Sequence, residues 1–154
     1  MRVPCIVAGP GVRRKGQMDS AFTHVMDIAP TLLEVAGISS SGAQYKGRQV
    51  LSMMGKSMVP FLGGKNDKVR DDNEYVGWEQ FSRAVRQGPW KATWISSPFG
   101  TDDWQLFNLE ADISERNDLA DTHANKLREL ILLWEKYADE VGVVLPSTTI
   151  KLAD

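Results

Sequence analysis

Residues 75–95 read YVGWEQFSRAVRQGPWKATWI, and this stretch decides the fold. Tyr75-Val76-Gly77-Trp78-Glu79 is a short run suited to a strand. Arg83-Ala84-Val85-Arg86 alternates polar with apolar residues, Gln87-Gly88-Pro89 is a turn, and Trp90-Lys91-Ala92-Thr93-Trp94-Ile95 alternates again. Period-two alternation marks a half-buried strand, and a glycine-bearing turn between two such runs predicts a hairpin. Further on, Trp104-Gln105-Leu106-Phe107-Asn108-Leu109 supplies a fourth strand. Short strands joined by turns predict an antiparallel sheet.

Beyond the sheet, residues 122–141 form the clearest helix. Leu127, Leu130, Ile131, Trp134, Tyr137, Ala138 and Val141 follow the i, i+3, i+4, i+7 stripe, while Lys126, Arg128, Glu129, Glu135, Lys136 and Asp139 occupy the other face. Thr122 is expected to cap its start and Gly142 its end. The helix is expected to pack on one face of the sheet, with Val143–Asp154 as a frayed tail. The fold class is therefore α+β: a small antiparallel sheet of about four strands under a long C-terminal helix.

Before residue 75 the pattern differs. Arg2–Ala8 is an apolar run with β-branched residues, closed by Gly9-Pro10-Gly11, and reads as a buried strand. Such a strand needs neighbours on both sides, which suggests a chain that does not naturally begin at Met1. Residues 23–37 read as a helix. Val25, Ile28, Leu32, Val35 and Ala36 form its apolar face, Asp27 is its N-cap, Pro30 stands near the first turn and Gly37 ends it. Residues 38–74 are loop-rich, with short apolar pieces at Val50–Met54 and at Ser57–Leu62, the latter read as one helical turn. Charge and turn residues concentrate at 65–73, where a boundary is expected.

Composition excludes several classes. The chain has 154 residues, 18 Lys+Arg against 20 Asp+Glu and a net charge of −2, which is not the basic footprint of a nucleic-acid binder. No apolar run approaches the roughly 18 residues of a membrane span, and MRVPCIVAGPG is too short for a signal-peptide core with its cleavage site. The single cysteine, Cys5, excludes an internal disulfide and any CxxC motif, and two histidines exclude a three-histidine zinc site.

Few residues suggest chemistry of their own. His24 and Asp27, three apart, share a helix face and offer two metal ligands, but no third or fourth is evident and Asp27 has a capping role. His123 reads as a surface histidine. Glu110, Asp112, Glu115 and Asp118 superficially resemble a calcium loop, yet no register supplies both the sixth-position Gly and twelfth-position Glu; a turn in which Asp112 accepts backbone N–H bonds is expected. Arg13-Arg14-Lys15-Gly16 reads as a solvated turn in preference to an anion patch. Nucleotide-binding and nucleophile-elbow motifs do not occur. The five tryptophans suggest a sugar platform, but Trp78, Trp90, Trp94 and Trp104 lie in strands, where at least half should point into the core.

Three stretches together resemble the C-terminal part of a type I sulfatase of the alkaline-phosphatase superfamily. They are Arg2-Val3-Pro4 with Gly9-Pro10-Gly11 and Val25–Gly37; Gly77-Trp78-Glu79 with Arg83–Lys91; and Leu106–Ala120. The family usually writes the last as leucine-tyrosine-aspartate-leucine followed by aspartate-proline, glutamate, asparagine and leucine; Asn108 and Ile113 depart mildly from it. The second stretch and the last helix are especially similar to bacterial arylsulfatases.

The resemblance implies that residues 1–64 are a strand–helix remnant of an alkaline-phosphatase-like α/β catalytic domain and that residues 66–154 are the sulfatase C-terminal subdomain. It implies a formylglycine nucleophile, made from Cys or Ser in C/S-x-P-x-R, and a calcium ion for the intact enzyme, all upstream of the point corresponding to Arg2. No catalytic, cofactor or metal residue is carried over to this chain. Cys5 lacks the required proline, and Ser96-Ser97-Pro98-Phe99-Gly100 has Gly100 where arginine is needed. The expectation is an inactive fragment of a sulfuric ester hydrolase, with a missing N-terminal catalytic domain as partner and self-association through orphaned apolar surface. Its loop 96–103 is expected near the substrate cleft of the whole enzyme. A stand-alone binding or assembly module and a phosphonate or phosphate ester hydrolase fragment are the alternatives. No compartment is indicated.

Overall fold

The structure is a computed structural model and describes residues 3–39, 42–80 and 82–145. The chain divides into two compact units, Met1–Asp71 and Asp72–Asp154.

The second unit is built on the predicted sheet. Strands β3 (Tyr75–Glu79), β4 (Ser82–Gln87), β5 (Trp90–Ile95) and β6 (Trp104–Asn108) lie in that order, every pair antiparallel. The register aligns Gly77, Val85, Ala92 and Leu106 in one row. Helix α3 (Ala124–Val141) covers this row, burying Leu130 and Trp134 against Val85, Ala92 and Leu106. Gly77 is required here: a Cβ on it would fall inside the Tyr137 ring. Trp90 and Trp104 pack against the same core, as strand alternation predicts. The outer edge of β6 is closed by the following loop: Asp118 accepts the Leu106 N–H, and Leu106 O accepts the Leu119 N–H. This covers an edge that would otherwise template aggregation.

Two details at the ends of α3 correct the sequence reading. Thr122 does not cap the helix; its hydroxyl donates to Leu119 O within the preceding turn, and His123 stands at the N-cap with its ring 2.9 Å from the Thr122 hydroxyl and without a side-chain capping bond. Gly142 does end it, in the left-handed conformation with φ 71°. The Val143 N–H bonds back to Ala138 O and its side chain packs on the core, so Val143 belongs to a Schellman-type closure and not to the tail. Residues 146–154 of the expected tail lie outside the described residues.

The first unit is held differently. A 3₁₀ turn (Val25–Asp27) leads into α1 (Ile28–Val35), and Gly37 follows with φ 69°. The Ser57–Leu62 turn is α2 (Val59–Leu62), which buries Phe61 beside Met58. A small hairpin, β1 (Gln44–Tyr45) and β2 (Arg48–Gln49), turns on Lys46 and Gly47, both at positive φ; Lys46-Gly47 was its only local signal. One expectation fails. Residues 3–8 form no strand: they are irregular and exposed, Ile6 at 94%, because no described strand offers them a ladder. The apolar stripe of α1 is exposed, in keeping with the expected orphaned apolar surface. Val25, Leu32 and Val35 are 73%, 63% and 71% exposed, and the buried side chains at this point are Asp27 and Thr31. Val50–Met54 is likewise exposed and irregular.

Candidate functional site

The family-like stretches carry charged side chains, Asp27, Lys91, Asp112, Glu115 and Asp118, whose geometry explains why those residue types stand there. In the first unit, Asp27 is fully buried. Its carboxylate does not cap α1. It turns back to accept the His24 N–H at 2.7 Å, while His24 Nδ1 accepts the Met26 N–H at 3.4 Å, a reciprocal capping box around the 3₁₀ turn. Asp27 also accepts the Lys56 N–H at 2.8 Å and a bidentate pair of N–H bonds from the buried Arg70. Burial alone would raise its pKa, but Arg70 and the two backbone donors together hold the carboxyl below the ordinary carboxylate range. His24 is lowered, chiefly by burial, with Asp27 opposing and Arg70 assisting. One helical turn on, Thr31 Oγ1 donates to Asp27 O and accepts the Met58 N–H at 2.8 Å. Asp27 and Thr31 thus tie together segments 24–31, 56–58 and residue 70. His24 and Asp27 do come together, but as a cap, and the carboxylate's acceptor capacity is spent on four donors.

The second unit has an equivalent knot on the sheet face away from α3. Lys91, buried in β5, places Nζ 2.7 and 2.6 Å from the two carboxylate oxygens of Glu115. Glu115 sits at φ 54°, a conformation costly for a residue with a Cβ. The turn that holds it there is organised by Asp112, whose Oδ2 accepts the Arg116 and Asn117 N–H groups, both at 2.7 Å. These bonds, that from Asn117 first, draw the Asp112 pKa down. Asp118 Oδ1 accepts from Leu106 and Ala120. The expected Asp112 turn is therefore present, and Asp112, Glu115 and Asp118 point at separate protein partners instead of converging on an ion. Among the described residues no group of three or more His, Cys, Asp or Glu side chains is placed to hold a metal.

Other sequence candidates also have assigned places. Arg14 is clamped: it reaches Phe61 O, Asp19 and Asp67 and lies over the Phe61 ring, its guanidinium carbon 4.5 Å from the centroid. Arg13 and Lys15 stay exposed. Cys5 is exposed in the irregular segment before Gly9. Ser96–Gly100 lies in the β5–β6 connection, where Ser97 N–H donates to Asp102 and Ile95 O accepts from Asp102 N–H. His123 is exposed, its ring 5.3 Å from that of Trp90. What sequence reasoning missed was the pairing: Arg70 lies 43 residues from Asp27, and Lys91 lies 24 from Glu115. No local periodicity signals a partner at such separations.

The fold is shared with solved sulfatase structures. Residues 1–136 match the family model described as N-sulphoglucosamine sulphohydrolase, C-terminal, and the chain belongs to that family. It is 36% identical over 146 residues to an uncharacterized sulfatase of Schizosaccharomyces pombe, covering 94% of this chain and 26% of the relative. It is 32% identical over 122 residues to a choline-sulfatase of Rhizobium meliloti, covering 78% and 22%. Among solved structures it resembles a 2-O GAG sulfatase with a TM-score of 0.62 and 24% identity, over 86% of this chain and 28% of that one. The likeness reaches beyond bacterial proteins, and the chain spans about a quarter of the length of the curated relatives it matches.

Proposed function

We propose that this chain is the C-terminal portion of an arylsulfatase-like sulfuric ester hydrolase and is inactive by itself. The observation that carries the reading is the family match over residues 1–136 combined with coverage of only 26% and 22% of two full-length relatives. On this reading the formylglycine nucleophile and calcium ligands belong to the part of the enzyme upstream of the matched region. The described residues do not fit a calcium centre: the carboxylates nearest to forming one are spent on Arg70, Lys91 and backbone N–H groups. No catalytic step is therefore assigned to them. Their role is to hold the scaffold on which the upstream part docks.

The docking face is the exposed stripe of α1, Val25, Ile28, Leu32 and Val35, with the exposed residues 3–8. An apolar stripe left in water is a surface built for burial. In the isolated chain the same surface drives self-association; a monodisperse monomer by light scattering at high concentration counts against this. Activity is tested by assaying the purified 154-residue chain with aryl sulfate, aryl phosphate and aryl phosphonate. The expected result is no turnover of any ester. Sulfate-ester turnover abolished by calcium chelation overturns the proposal. Turnover by the longer protein encoded upstream in frame assigns the substrate.

A further inference from the structure

We draw no further inference here: the strongest candidate, the apolar groove at the C-terminal end of α1 lined by Pro30, Leu33, Gly37 and Ile38, lies on the same helix as the docking stripe already described, and nothing in the structure shows what covers it.

Discussion

Asp27 shows how one buried carboxylate organises a unit with little apolar core. Replacing it by Asn leaves the Arg70 guanidinium buried beside a neutral amide, a loss of about 3–5 kcal/mol for a broken buried pair. All five tryptophans lie in the second unit, so indole fluorescence will not see the effect. In Asp27→Asn, hydrogen-exchange protection at the His24, Lys56 and Met58 amides is expected to fall while that at Val85 and Leu106 is kept. Acid acts on the same knot. The folded-state pKa of His24 lies below its ordinary value of 6.5, so the unfolded chain takes the proton first and stability is lost as pH falls below about 6.5. Asp27 is also lowered, from 3.8, and adds a second loss as pH falls through that value. Protection of the Met26 and Lys56 amides is expected to hold from pH 8 to 7, to decline as pH falls below 6.5 and to decline again below about pH 4. A His24→Asn variant is expected to lack the first decline.

At the scale of elements, the sheet and α3 are joined by complementary sizes. Gly77 opposite Tyr137 is the closest fit, and Gly77→Ala is expected to cost about 1–3 kcal/mol by overpacking. Urea unfolding followed by tryptophan fluorescence measures it, and an unchanged midpoint would show that α3 slides without cost. α1 contrasts with α3. Both have a legible apolar stripe, yet only that of α3 is covered. Periodicity identifies which face seeks burial, not whether the described chain contains a cover for it. The same limit explains residues 3–8, whose strand-like composition finds no ladder. At Asp27 the capping residue type was legible, but the direction of its side chain was not, because Arg70 and Lys56 compete with the α1 amides for the same oxygens.

Over the whole molecule, the two units differ in what stabilises them. The second has a continuous core of Val85, Ala92, Leu106, Leu130 and Trp134; the first relies on Met58, Phe61 and a polar knot. Two unfolding transitions are therefore expected in urea, the first seen by first-unit amides and the second by tryptophan fluorescence. Coincident transitions would show that the units unfold as one. The sequence by itself determined the four antiparallel strands, the presence and end of α3 with most of its inner face, and the family, because each rests on local alternation, helical spacing or adjacent residues in a motif. Only the tertiary structure decided that Asp27 pairs with Arg70, that Lys91 pairs with Glu115, and that Arg83 stacks on Trp94 and Trp134. Those outcomes join residues far apart in the chain, where burial and competition among donors settle which partners meet, and no periodicity encodes them.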